Sequence, residues 1–276
     1  DVIVTVTDLP SAPVATTSLS YCKDELSVPA LTATASSGNV LVWYDTDGVT
    51  VLSGAPTPLT TTVGNEIYYV AQSNTTTGCE GPQTPITITV LTLPSAPSVS
   101  ITSYDYCVGA IATQLTASPT TDPSGASYTL KWYDTDGVTV LSGAPTPSTS
   151  TPTPTTVPAT YYVSQYSGTG CESPQVAITV TVSENPLAPI AGAVDLCVGA
   201  SASALTASAL AGHTLVWYDT DGVTVLSGAP TPSTTTTTPT TTTYYVSQEN
   251  GSGCESPQTD VIVTVTDLPS APVATT

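Results

Sequence analysis

The chain has 276 residues, with 2 Lys+Arg against 21 Asp+Glu, a formal net charge of −19, and only 8% charged residues. So negative a field repels phosphate backbones and anionic lipid, which excludes nucleic acid and membrane surfaces as partners. One His (His213), two Lys and no Arg leave almost nothing to act as general base or electrophile near neutral pH, so no enzyme activity and no cofactor are expected.

No run approaches the roughly 18 apolar residues of a membrane span, so no membrane insertion is expected in this segment. No apolar h-region opens the sequence, and no signal peptide is expected within it. Disorder is excluded too. Hydrophobic residues make up 39%, with 3 Trp and 14 Tyr, whereas disordered chains are poor in aromatic and β-branched residues. Those residues favour half-buried pleated surfaces. The class is all-β.

Internal repeats set the organisation. The block WYDTDGVTVLSGAPTP occurs three times unchanged, at Trp43–Pro58, Trp132–Pro147 and Trp217–Pro232. Each copy sits in one frame: a Cys, Leu-Thr-Ala, the Trp block, a Thr/Pro-rich stretch, Tyr-Tyr-Val, Gly-Cys-Glu and an alternating run such as Ile86–Val90. First cysteines are 85 and 90 residues apart. Residues 1–17 recur unchanged as 260–276, which reads as a window from a longer tandem array. The expected segments are 1–9, the last strand of a preceding repeat; 10–92, 93–183 and 184–267, three repeats; and 268–276, a linker and the start of another.

Within a repeat the period-2 pattern predicts the strands. Leu41–Asp45 alternates, Asp47-Gly48 supplies the positive-φ positions of a type I′ turn, and Val49–Leu52 returns. That register sets Trp43 opposite Leu52, and it makes Trp43, Trp132 and Trp217 core aromatics. Strands near Tyr68–Gln72 and Thr84–Leu91 complete about seven per repeat, the count of a β-sandwich. The joints Leu9–Pro13, Leu93–Pro97, Asn185–Pro189 and Leu268–Pro272 each hold two prolines within four residues. They read as stiff, extended spacers.

The six cysteines come two per repeat, 57, 64 and 57 residues apart. In an extracellular-type composition this spacing predicts one disulfide inside each repeat: Cys22–Cys79, Cys107–Cys171 and Cys197–Cys254. Zinc binding would need a CxxC pair or a second ligand cluster, and the sequence has neither.

The ordered set Cys, Leu-Thr-Ala, Trp-Tyr-Asp, Thr-Tyr-Tyr-Val-Ser-Gln, Gly-Cys-Glu-Ser-Pro, Val-Thr-Val and Pro-x-Ala-Pro resembles the immunoglobulin-like repeats of Bacteroidota surface proteins. The resemblance covers the whole chain, three times over. It implies tandem Ig-like sandwiches of the kind that build very large adhesins, including those of gliding bacteria. Antibody-type domains place the second Cys two residues after a Tyr within a strand. Here Cys79 follows Tyr69 by ten residues, in a Gly-rich turn, so the predicted bridge would tie the last hairpin to the start of the repeat.

Other candidates carry two readings each. Asp45/Asp47, Asp134/Asp136 and Asp219/Asp221 resemble half of a calcium loop, but position twelve is Pro56 where a carboxylate is needed; a hairpin turn is favoured. The Thr/Pro stretches Pro147–Thr160 and Pro232–Thr243 suit glycosylation or, as favoured here, an exposed edge that discourages sheet pairing. The tyrosine pairs suit sugar stacking or, with one ring of each pair turned inward, core packing. The expected function is structural. The repeats form part of an extracellular stalk or filament on a bacterial cell surface, which projects an adhesive tip and carries tension in attachment or gliding. Its partners would be neighbouring repeats, with surface polysaccharide or solid surfaces met by other parts of the protein. The alternative is that the repeats themselves bind glycans or surfaces through many weak contacts.

Overall fold

The computed structural model describes all residues except 3–5, 124, 154–157, 237 and 270–276. The chain forms two compact units. One comprises Asp1–Ser98, Ala117–Lys131 and Val163–Val176; the other comprises Val99–Thr116, Trp132–Tyr162 and Ala177–Thr276.

The first unit holds the whole first repeat. Its strands are β1 (Val14–Ala15), β2 (Ser18–Cys22), β3 (Ala33–Thr34), β4 (Asn39–Tyr44), β5 (Val51–Leu52), β6 (Gly64–Asn74) and β7 (Thr84–Leu91). β1 pairs with β3, and the other five form one sheet in the order β2-β7-β6-β4-β5. Alternation explains the inward faces: Ile86, Ile88 and Val90 of β7 are buried and join Leu31, Trp43, Tyr68 and Val70 in one core. β2 runs parallel to β7, with Ser18 beside Thr87 and Cys22 beside Leu91.

The middle repeat carries β8 (Ser103–Cys107), β9 (Thr129–Tyr133), β10 (Val140–Leu141), β11 (Ala159–Tyr166) and β12 (Val176–Ser183). β8 lies parallel to β12, with Cys107 beside Ser183. The third repeat has β13 (Ile190–Ala191), β14 (Val194–Cys197), β15 (Ala207–Ser208), β16 (Thr214–Tyr218), β17 (Val225–Leu226), β18 (Thr240–Glu249) and β19 (Thr259–Thr266). It repeats the arrangement of the first: β13 pairs with β15, and the second sheet runs β14-β19-β18-β16-β17. Again the first long strand is parallel to the last, with Cys197 beside Thr266. The fold is all-β, with tandem Ig-like sandwiches and no helix among the described residues.

Trp43 faces Leu52, Trp132 faces Leu141 and Trp217 faces Leu226. The three indoles are 6%, 4% and 4% exposed. The turn itself differs from type I′. Gly48 N donates to Asp45 O at 2.9 Å, and in the turn only Gly48 has positive φ, at 68°. The cause is local: the Asp47 carboxylate accepts from two following backbone N–H groups and so closes the turn without a left-handed Asp.

Thr240–Thr243 pair with Ile262–Val265 on one side, while β16 on the other side reaches only Tyr245–Glu249, so among the described residues this end of the Thr-rich stretch has one side without a ladder. Of the preceding-repeat strand expected over 1–9, residues 3–5 lie outside the described residues.

Candidate functional site at the junctions between repeats

The parallel pairing of β2 with β7 decides where each cysteine stands. Cys22 lies beside Leu91, where the chain leaves the first repeat. Cys79 lies in the β6–β7 hairpin, beside the Ser73–Glu80 bridge and ahead of Thr84, where β7 begins. Between these ends runs the length of β7, roughly 23 Å at about 3.3 Å per residue. Disulfide-bonded Cα atoms are about 4.4–6.8 Å apart. Cys22 and Cys79 therefore occupy opposite ends of one sandwich, the trailing and the leading end.

The disulfides accordingly run between repeats, which overturns the pairing expected within each. Cys22 bonds Cys171, and Cys107 bonds Cys254, each with Cα atoms 5.5 Å apart. Each joins the trailing end of one repeat to the leading end of the next. Cys79 and Cys197 are free. The bonds close loops of 149 and 147 residues, each worth about 5 kcal/mol in the chain-entropy account.

The turn that carries the leading-end cysteine is held from beneath. The Glu that follows it accepts hydrogen bonds from the body of the repeat: Glu80 from Tyr44 Oη, and Glu255 from Tyr218 Oη and Ser247 Oγ. Glu172 accepts from Ser164 Oγ at 2.6 Å and Lys131 Nζ at 2.8 Å. Burial, followed by the bond to Glu80, pushes the Tyr44 hydroxyl up to about 12. Burial and Glu255 raise Tyr218 in the same way.

The second link across each junction is the proline joint, and it is not a free spacer. Gln72, Gln165 and Gln248 are fully buried. Gln165 Nε2 donates to Ser95 O at 2.6 Å, and its Oε1 accepts from Thr120 N at 2.9 Å. Gln248 donates to Leu187 O at 2.6 Å and accepts from Leu210 N at 2.7 Å. Gln72 does the same with Ser11 O at 2.6 Å and Ser36 N at 2.7 Å. A side-chain amide thus satisfies one joint carbonyl and one backbone N–H of the repeat that follows. The signal was present in the sequence as Tyr-Tyr-Val-x-Gln, where the Gln shares an inward phase with Val70, Val163 and Val246.

In the second unit further contacts close the junction. Asn250 Nδ2 donates to Glu184 O at 2.9 Å, and Asn185 Nδ2 donates to Val108 O at 3.1 Å. An open cleft beside them is lined by Pro152, Thr153, Val182, Glu184, Asn250 and Ser252.

The Asp-Thr-Asp-Gly carboxylates serve their own turns. Asp47 Oδ1 accepts from Val49 N at 2.9 Å and Thr50 N at 2.8 Å, and its Oδ2 accepts from Thr50 Oγ1 at 2.6 Å. Asp136 and Asp221 repeat this at Thr139 and Thr224. Asp45, Asp134 and Asp219 each accept from the next backbone N–H. The Thr50 hydroxyl, then the backbone N–H groups, hold the Asp47 carboxyl down at about 2, and Asp221 likewise at about 2. Asp136 is lowered for the same reasons. Among the described residues no three His, Cys, Asp or Glu side chains gather as a metal site. No helix there is long and apolar enough to cross a membrane.

The family described as "Ig-like domain CHU_C associated" matches residues 10–91, 94–183 and 186–266. No curated protein matches the chain. Among solved structures, a three-domain titin I-band fragment is similar at 10% identity, covering 95% of this chain and 100% of that one, with a TM-score of 0.35. Extracellular domains 3–5 of Drosophila OTK are similar at 10% identity, covering 95% of this chain and 100% of that one, with a TM-score of 0.31.

Proposed function

The chain belongs to the CHU_C-associated Ig-like domain family, and from that premise we propose that it is a load-bearing segment of a long extracellular adhesin stalk on a bacterial cell surface. The reading extends to a Bacteroidota adhesin that serves attachment or gliding, with the adhesive tip elsewhere in the protein. One observation carries it: two covalent links cross each junction, a clamped proline joint and a disulfide. A hinge crossed twice resists bending, and a pull on one repeat passes to the next by two routes. Persistent disulfides also suit an oxidising, extracellular setting.

The test is binding. Applied to arrays of bacterial and host glycans and to bare glass or polystyrene, the purified chain should show no saturable binding, because a stalk only positions a tip. Saturable glycan binding by the repeats would overturn the stalk reading in favour of multivalent binding modules.

A further inference from the structure

We infer that the Cys22–Cys171 disulfide is a site of thiol–disulfide exchange, opened by small anionic thiols of the glutathione kind ahead of the Cys107–Cys254 bond. This rests on the charges beside the two bonds and not on the stalk reading. Both bonds join repeats that the chain itself contains, so its own residues set their surroundings.

Access to the two bonds is alike. In each, one sulfur belongs to a half-buried cysteine, Cys22 or Cys107. The other belongs to a buried one, Cys171 at 0% or Cys254 at 1% exposure. An attacking thiolate therefore reaches Cys22 or Cys107, and Cys171 or Cys254 departs. A thiol of lower pKa departs faster. A neighbouring cation lowers that pKa, and neighbouring carboxylates raise it.

Charge is where the bonds differ. Lys23 and Lys131 are the only Lys or Arg side chains in a chain of net charge −19, and both stand at the first bond. Lys23 follows Cys22 directly, with its Nζ 3.6 Å from Asp24 Oδ2, and Glu25 Oε2 accepts from Cys22 N at 2.9 Å. Lys131 Nζ lies 2.8 Å from Oε2 of Glu172, the residue after Cys171. The carboxylate beside the departing sulfur is thus neutralised, and the residue after Gln165 is the uncharged Tyr166.

At the second bond the residue after Gln248 is Glu249, whose Oε1 lies 3.5 Å from where a Cβ on Gly253 would stand, next to Cys254. Glu255 follows Cys254 and is bonded to the uncharged hydroxyls of Tyr218 and Ser247. Asp105 precedes Cys107 by two residues on β8 and so shares its strand face, and Val108 takes the place of Lys23. Cys254 therefore departs among carboxylates with no Lys or Arg beside it, and the incoming anion is repelled as well.

The exchange balances. One glutathione thiolate attacks Cys22 Sγ, the S–S bond breaks, and Cys171 leaves as a thiolate. A second glutathione thiolate attacks the mixed disulfide at the glutathione sulfur and releases Cys22. The protein disulfide gains two electrons and two protons, and two glutathione molecules become one glutathione disulfide. The junction between the first two repeats then keeps only its proline joint, while the next junction keeps both links.

The test uses the purified 276-residue chain with its free thiols blocked by iodoacetamide. Reduced glutathione is added at about pH 8, where part of it is thiolate. Samples are quenched over time with a second alkylating reagent and mapped by mass spectrometry. At about 0.01 M ionic strength Cys22 and Cys171 should take the second label about fivefold faster than Cys107 and Cys254, the effect of one unit charge about 4 Å away in water. At about 1 M salt, where the Debye length is about 3 Å, the rates should converge. Lys23→Val combined with Lys131→Val installs the residues that the third repeat carries there, Val198 and Val216, so the fold accommodates both. This double variant should lose the lead of the first bond and leave the second bond's rate unchanged. Equal rates in the wild type at low salt, or earlier opening of Cys107–Cys254, would overturn the inference. So would a lead that survives high salt or the double variant, which would assign it to access and not to charge.

Discussion

Cys22 lies in parallel register with Leu91, the last residue of β7. From that relationship follow the opposite placement of Cys22 and Cys79, the disulfides between repeats, and the joining of a trailing-end cysteine to a leading-end one. The same register places Cys107 beside Ser183 and Cys197 beside Thr266, so the rule holds at every repeat.

The first prediction concerns force. With both disulfides closed, the shortest covalent route from Cys22 to Cys254 crosses to Cys171, runs back to Cys107 and crosses again. It contains 171 − 107 = 64 residue steps, against 254 − 22 = 232 along the reduced backbone. At about 3.3–3.6 Å per residue the limits are roughly 220 Å and 800 Å. The residues outside Cys22 and Cys254 add equally to both lengths, so pulling the chain by its ends should give a fully unfolded length about two and a half times shorter in oxidising than in reducing buffer. Equal lengths in the two buffers would contradict the crossed pairing.

A second prediction concerns the glutamine clamp. Gln165→Leu keeps the volume but leaves Ser95 O and Thr120 N without their side-chain partners. A buried group left unsatisfied costs about 1–3 kcal/mol, and because Ser95 is exposed and Thr120 half-buried the loss for the pair together should be about 1–3 kcal/mol. Denaturant unfolding should show it as a lower midpoint, and hydrogen exchange at Thr120 should speed up. An unchanged midpoint would mean that the joint is held by other contacts.

Much of this was legible in the sequence, and the parts that were not share a cause. Strand alternation and the Trp43–Leu52 register are local, set within ten residues, and they could be read directly. The β2–β7 pairing joins residues about 70 apart, and no local pattern says whether such strands run parallel. Cysteine spacing is the same whether the bond stays within a repeat or moves to the next. The turn departs from type I′ because side-chain acceptors at Asp47 replace a backbone requirement for positive φ at that residue. Gln72, Gln165 and Gln248 look like ordinary strand residues in the sequence, although an amide in phase with buried valines needs partners.

Acid sensitivity provides a third prediction. The Asp47 and Asp221 carboxyls titrate at about 2 in the folded chain, below the ordinary 3.8. A folded-state value below the unfolded one means a contribution present above about pH 4 and lost as the pH falls from about 4 to about 2. The combined variant Asp47→Asn, Asp136→Asn, Asp221→Asn should melt below the wild type at pH 6, and the gap should narrow at pH 2. A gap of equal size at both would contradict the assignment.

Calcium offers a fourth. The turn carboxylates already accept hydrogen bonds from their own loops, so about 1 mM Ca²⁺ should leave the melting temperature unchanged. A site saturated 100-fold would add about 2.7 kcal/mol, a rise of several degrees. Such a rise, abolished by Asp47→Ala, would show that the loops open to take the ion.

The central claim is that covalent bonds pass from repeat to repeat, and peptide mapping of the intact chain without reduction reads it directly. After proteolysis with free thiols blocked at the start, mass spectrometry should find Cys22 joined to Cys171 and Cys107 joined to Cys254. Cys79 and Cys197 should carry the blocking group. Peptides joining Cys22 to Cys79, Cys107 to Cys171 or Cys197 to Cys254 would place the bonds within repeats and contradict the account.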